Sequence, residues 1–366
     1  MSNSPLPNLT ARILIGAALL VGSFSAGSGT IRAQARAGGP TFQPGEFAGS
    51  CGVPSDEGFA CGAGLETCAN ACLREPILYA GFEATFIRPH FEQNLAYRLT
   101  QADGSSFERL SDVEFDYGLS FSPRVYGGVA FEDGIGARVS WWNFDDESGP
   151  ISIQPPANGF GLVDHPEFGA IDISTNIPSD VYTARSRLTA DAIDIEVTKS
   201  ARFYAWELGV STGVRYAQIK QRYVGELRDS GGDFRGRVDA QHKNDGVGPT
   251  LSLSGETPLG GRLNLFCKGR GSLLFGDAST LVVGGEDLDL TTPFTTTQLA
   301  SRDDVLPIAE LQFGVHWQGT VHGATRWRPH LSVAMEGQMW PGAGNAASEA
   351  GDLGFFGLAV NAGCSW

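Results

Sequence analysis

Beyond its N-terminal segment the chain lacks any run of about twenty apolar residues, which excludes an interior helix that crosses a bilayer. It is also poor in charge: Asp, Glu, Lys and Arg make up 18% of 366 residues, against roughly 25% in an ordinary soluble domain. Cations are the scarcer sign. Lys and Arg number 26 against 41 acids, for a formal net charge of −15. That balance excludes nucleic acid as a partner, because phosphate recognition needs clustered positive charge. On a membrane protein such acidity is a property of solvated, cation-attracting loops. Glycine, by contrast, is abundant at 49 residues, and hydrophobic content is an ordinary 42%. The length allows one large β domain or two ordinary ones. Two classes fit, a secreted β-sandwich and a transmembrane barrel. A barrel conceals its apolar residues from averages because they occupy alternate positions.

The N-terminus has the form of an export signal over residues 1–35. Arg12 precedes an apolar stretch, Ile13 to Phe24, too short to span a membrane, and Ala33-Gln34-Ala35 forms a small-residue cleavage site. A Gly/Pro/Cys-rich linker follows over 36–76. It carries Cys51, Cys61, Cys68 and Cys72, which in an oxidising periplasm are disulfide candidates. Zinc is the competing reading, but paired C-x-x-C knuckles and a nearby His are missing. Haem attachment would need C-x-x-C-H, and a lipid anchor at Cys51 lies far beyond the apolar stretch. No metal or cofactor is expected.

From 77 to 366 a period-two pattern recurs ten times. The first strand sets Leu78, Ala80, Phe82, Ala84 and Phe86 on one face. The second sets Phe115, Tyr117, Leu119, Phe121, Val125 and Val129 against Asp116, Ser120, Ser122 and Arg124, before a Glu132-Asp133-Gly134 turn. Further strands are expected over 135–144, 193–198, 206–216, 250–256, 263–275, 310–317 and 330–339. The tenth runs to the C-terminus, with Phe356, Leu358, Val360, Ala362, Cys364 and Trp366 at alternate places. A final strand ending on an aromatic resembles the signal that the barrel-insertion machinery reads. Short connections (132–134, 199–202, 258–262, 319–326) alternate with long or polar ones (89–113, 145–186, 219–247, 276–304, 341–352). This alternation is that of an up-and-down antiparallel transmembrane β-barrel, with both termini on the short-turn side. Trp327 and Trp340 bracket the ninth strand, and at 3.3 Å per residue and a 45° tilt they lie roughly 30 Å apart, the separation of two aromatic girdles. The stretch 219–247 is either a hairpin reaching beyond the membrane or two more strands, which would make twelve.

With the apolar face in lipid, the other face lines the lumen. It carries Glu83, Asp116, Arg124, Arg138, Asp194, Glu196, Glu207, Arg215, Glu256, Lys268, Arg270, Glu310, His316 and Glu336. Arg124, Arg138, Arg215 and Arg270 form a basic wall, with Lys268 beside it. Glu207, Glu256, Glu310 and Glu336 are the acids expected to line the pore; the lumen arginines govern selectivity if they line the narrowest point and are not neutralised by Glu207 and Glu256. The pattern suits either a charged constriction that selects solutes or a salt-bridge network that fills a narrow barrel. Catalysis finds little support: His316 with Glu310, and His330 with Ser332, are only i, i+2 or more distant neighbours without a nucleophile motif. Glu286-Asp287-Leu288-Asp289 fits a solvated loop tip better than a Ca²⁺ site.

Four stretches carry a family resemblance: Ile77 to Phe91, Ser122 to Phe144, Ala192 to Lys199 and Gly213 to Gln221. They comprise an opening aromatic strand, a glycine-rich strand with a D-G turn followed by Arg138, Trp141, Trp142 and Phe144, and the strand motif Asp194-Ile195-Glu196. With these the chain resembles the Legionella-type pore-forming outer-membrane protein family, which also occurs in planctomycete-like bacteria. The resemblance implies a pore in the bacterial outer membrane, with membrane lipid and small solutes or ions as partners and no catalytic residues. A non-conducting structural or adhesive barrel, acting through its surface loops, is the alternative.

Overall fold

Three strands of the chain open the fold: β1 (Ile77–Phe91), β2 (Leu95–Asp103) and β3 (Ser106–Glu114). β4 (Ser120–Ala130) and β5 (Ile135–Ile153) follow, then short β6 (Phe160–Asp164) and β7 (Ile173–Thr175). Five long strands come next, β8 (Val181–Phe203), β9 (Trp206–Arg228), β10 (Phe234–Gly260), β11 (Leu263–Glu286) and β12 (Phe294–Gln318). β13 (Arg328–Trp340) and β14 (Leu353–Ser365) complete the chain. The computed structural model describes residues 76–103, 106–154, 160–164, 173–175, 180–286, 294–321, 327–345 and 351–366. The export signal, the linker and its four cysteines lie outside the described residues, as do Asp287 and Asp289. Cys267 and Cys364 are free thiols.

Ten strands close into an antiparallel barrel in the order β1-β14-β13-β12-β11-β10-β9-β8-β5-β4. They correspond one for one to the ten expected from alternation. The seam is made by β1 and β14, paired from Tyr79↔Ser365 to Phe91↔Leu353. Beyond it Leu78 and Trp366 exchange backbone hydrogen bonds of 2.9 Å. In the lower part of the wall each strand is paired on both sides, so no ladder edge is left there, the condition for crossing hydrocarbon with strands. Tight turns gather at one end. Gly134 adopts φ 82° in the predicted D-G turn, and Gly260 and Gly261 take φ 140° and 62° between β10 and β11. The remaining four strands form a separate sheet, β3-β2-β6-β7, within the long connections at the other end.

The stretch 219–247 is the upper part of the β9–β10 hairpin, paired from Phe234↔Arg228 down to Glu256↔Glu207, and adds no strand to the wall. Much of 145–186 and 276–304, expected as loop, is likewise strand. At 3.3 Å per residue and 45° of tilt, the 27 residues of β10 reach roughly 60 Å in height, about twice the hydrocarbon core. Side-chain chemistry exchanges faces at that midpoint while the parity of the strand is kept. Low on β9, Trp206, Leu208, Val210 and Val214 are exposed outward, and Ser211 and Arg215 are buried inward. High on β9, Ala217, Ile219, Tyr223 and Leu227 are buried inward, and Lys220 and Arg222 point out. The lower wall is therefore built for lipid and the upper wall for water. Phe115, Tyr117 and Trp340 turn into the interior, not onto the outer surface as alternation suggested. Trp340 thus belongs to no girdle, whereas Trp327 is exposed and stacks on Trp366 with centroids 5.9 Å apart.

A charge placed outward should be tolerated or not according to height. Val214, 53% exposed within the apolar belt, should lose about 2–4 kcal/mol of folding stability on Val214→Arg. Gln241→Arg, on the outer face of upper β10, should stay within about 0.5 kcal/mol. Denaturant titration of the protein refolded into vesicles measures both, and equal costs would refute the placement of the belt.

Candidate functional site: the barrel lumen

The inward positions of the lower strands bring together charges that sequence separates by up to 212 residues. One group centres on Asp194 and Glu196 of β8. Arg215 clamps Asp194 with a fork, Nε to Oδ1 at 2.6 Å and Nη2 to Oδ2 at 3.1 Å, and reaches Glu310 with Nη1 at 2.8 Å. Arg270 donates to Asp194 at 2.7 Å and to Glu196 at 3.1 Å, and Arg138 donates to Glu196 through Nε at 3.0 Å. Ser140 adds a bond to Asp194 and Ser211 one to Glu196. A second group centres on Glu336 of β13. It accepts from Arg124 at 2.6 Å and 3.1 Å, from Gln312 at 2.8 Å and from Gln338 at 2.7 Å, and Arg124 also pairs with Glu83.

Several of these bonds join strands that are not neighbours in the wall: Arg215 on β9 with Glu310 on β12, Arg270 on β11 with Asp194 on β8, Arg124 on β4 with Glu336 on β13. They therefore cross the lumen. Ten strands enclose little more than the eight whose interior side chains fill completely, so opposite walls meet through long side chains. Arg215 is 1% exposed and Glu196 and Glu336 likewise 1%. Burying such charges is tolerable only with full pairing and forked geometry.

Toward the short-turn end lies a cavity of about 220 Å³, lined by Glu83, Arg124, Tyr126, Arg138, Ser140, Glu256, Phe266, Lys268, Arg270, Gln312, His316, His330, Ser332 and Asn361. His316 Nδ1 lies 3.0 Å from Glu256, not beside Glu310. The Tyr126 hydroxyl donates to Asn361 at 3.0 Å, and His330 Nε2 lies 2.9 Å from that hydroxyl, so Ser332 is not its partner. Neither histidine has a hydroxyl nucleophile aligned by an acid. Toward the long-loop end the lumen is apolar. Trp142, Phe144, Tyr182, Leu188, Ile219, Tyr223 and Val238 from the wall pack with Tyr97, Phe115, Tyr117, Trp340 and Leu353. The infolded connections are tied down by Tyr223 to Ala96 O at 2.5 Å, Gln221 to Ala343 O and Gly344 O at 3.0 Å, and Asn345 to Gln93 O at 2.6 Å.

Of the residues expected to line a pore, Arg124, Arg138, Arg215, Lys268, Arg270, Glu256, Glu310 and Glu336 face the interior. Glu207 is exposed near the short-turn mouth, and Asp116 is on the surface, paired with Arg88 at 2.5 Å. Arg215 is neutralised by Asp194 and Glu310 in place of Glu207 and Glu256. Tyr126 carries no signal in the sequence pattern, because it shares a strand with Gly127 and Gly128, where alternation is weak.

A closed strand ladder, an apolar outer belt and a charged interior define an integral β-barrel of the bacterial outer membrane. The family model of the Legionella pneumophila major outer membrane protein precursor matches residues 74–325, and the chain belongs to that family. No curated protein matches it. Among solved structures, the outer membrane protease OmpT of Escherichia coli is 10% identical, with a TM-score of 0.40 over 79% of this chain and 96% of that one. A major outer membrane protein of Thermus thermophilus is 12% identical, with a TM-score of 0.29 over 64% and 98%. The Pseudomonas putida toluene transporter TodX is 11% identical, with a TM-score of 0.29 over 79% and 88%. Likeness this distant carries no functional argument.

Removing one member of the buried network should cost far more than removing a surface pair. Arg215→Gln leaves Asp194 and Glu310 short of a partner and should destabilise the barrel by about 3–5 kcal/mol. Arg187→Gln, which breaks the exposed pair with Asp145, should cost under about 1 kcal/mol. Urea unfolding of refolded protein compares the two, and similar values would show that the lumen pairs are hydrated.

Proposed function

We propose that this protein is a narrow outer-membrane pore for small ions or solutes, shut at rest by its own long-loop connections. The observation that carries the reading is the division of the lumen. A barrel serving only as a solid body could be apolar or fully ion-paired throughout. This one keeps a polar cavity of about 220 Å³ below a plug whose inner half is built from two connections. Those connections are held by a few hydrogen bonds to side chains of the wall and by apolar contact, so they can move without breaking the ladder.

The second reading is a non-conducting structural barrel, favoured by the ion pairs that cross the lumen. Planar-bilayer recording separates the two. Wild-type protein should show rare, small openings, and replacing residues 95–114 by a short Gly/Ser linker should raise the open fraction at least tenfold. A linker variant that remains a heat-modifiable folded barrel yet passes no current would overturn the pore reading in favour of the structural one.

A further inference from the structure

We propose that the cavity at the short-turn end is a binding site for a compact oxyanion, a phosphate or a carboxylate, held on the ammonium of Lys268. The inference rests on the lumen geometry alone and does not require the barrel to conduct.

Lys268 sits on the inward face of β11, opposite Ser254 of β10 and Gln312 of β12, and lines the cavity. Each of the four interior arginines has a carboxylate: Arg124 has Glu83 and Glu336, Arg138 has Glu196, and Arg215 and Arg270 share Asp194 and Glu310. Lys268 is the exception, with neither a hydrogen bond nor an ion pair among the described residues. An ammonium that lines a lumen cavity without a protein acceptor must find its hydrogen-bond partners in whatever occupies the cavity.

The surroundings of the ammonium make the gap specific. Arg124, Arg138 and Arg270 line the same cavity, while the carboxylates Asp194, Glu196, Glu310 and Glu336 that balance them are not part of its lining. The ion pairs are thus oriented, with guanidinium groups toward the cavity and acids behind them. Only Glu83 and Glu256 share the lining, and both are occupied. Glu83 accepts from Arg124 and Gln312, and Glu256 accepts from Asn264 at 2.6 Å and meets His316 at 3.0 Å. Four cations therefore face the cavity against two engaged acids, and a cationic ligand would meet the wrong sign.

Size and donors narrow the ligand class. About 220 Å³ holds several water-sized volumes of roughly 30 Å³ each but falls short of the roughly 300–1,000 Å³ of sites for drug-sized molecules. A bare or hydrated phosphate or a short carboxylate fits. Lysine suits it as a compact point charge with three rotatable donors, and Ser332 and the two histidines stand on the same lining to complete the shell.

Calorimetric titration of the refolded full chain in detergent micelles, at constant ionic strength, tests the site with inorganic phosphate in one arm and acetate in the other. We expect saturable one-site binding of at least one of them. Lys268→Met should weaken it about tenfold or more, as befits loss of a charge-assisted hydrogen bond, and Lys268→Arg should retain most of it. Lys220→Met, on the outer wall, should leave it unchanged. Binding in the phosphate arm alone assigns a phosphate site, and binding in both assigns a general oxyanion site. Absence of saturable binding in both arms, or equal binding by folded Lys268→Met, would overturn the proposal. Heat-modifiability on gels confirms that each variant is folded.

Discussion

A closed ladder leaves each side chain two destinations, outward or inward, and in this barrel the medium outside changes from hydrocarbon to water partway up the strands. The rest of the structure follows from that change. Where lipid is outside, apolar residues such as Leu253, Phe313 and Leu358 must face it, and the polar half of the alternation is forced into the lumen. Where water is outside, the preference reverses, and Tyr182, Ile219, Tyr223 and Val238 are driven into the interior. The hydrophobic effect acts on both halves. Only the position of the apolar phase differs, and so one continuous strand carries two opposite patterns without a bulge at the exchange.

This explains why some features were legible in the sequence and others were not. All ten wall strands could be read because each crosses the lipid belt, where apolar residues stand on one parity. Their upper halves read as loops because the apolar parity switches there. On β9 the run Trp206 to Tyr216 ends as an outward pattern, while Ala217, Ile219, Tyr223 and Leu227 continue an inward one. Counting both parities would have found it. Trp340 obeys the same parity: it follows outward-facing Met339 by one residue and so points inward, whatever its aromatic character suggests. The inward direction of Arg215 and Arg270 was legible too. Their partners were not, since contacts across a lumen depend on barrel radius and stagger, which no local pattern encodes.

Wall height accounts for the plug. β8 to β12 are 23 to 27 residues long, whereas β1, β4, β13 and β14 are 11 to 15. Above the membrane the tall strands, with β5, curve around an apolar interior that would lie open to water on the side of the short ones. The connections leaving the short strands fill that side. Phe115 and Tyr117 lead into β4, and Trp340 and Leu353 flank the connection between β13 and β14. Phe115 packs on Tyr223 at 5.7 Å and Trp340 on Trp142 at 6.1 Å.

The same origin limits how the plug can open. Withdrawing the β1–β4 connection would expose Tyr97, Phe115 and Tyr117 together with the wall residues they cover, and each large apolar side chain returned to water costs roughly 1.5–3 kcal/mol. Full withdrawal is consequently a rare event in the isolated protein, and any passage through it must be brief or assisted. On the proposed pore reading, the ion pairs below would oppose conduction less strongly. Their carboxylates accept from several donors each, and Arg270 bonds Asp194 and Glu196 at once, so a guanidinium could shift between partners without leaving a charge bare. On that reading, resistance to flow would therefore be concentrated in the apolar layer, and the charged layer would act on whatever ion had already reached it.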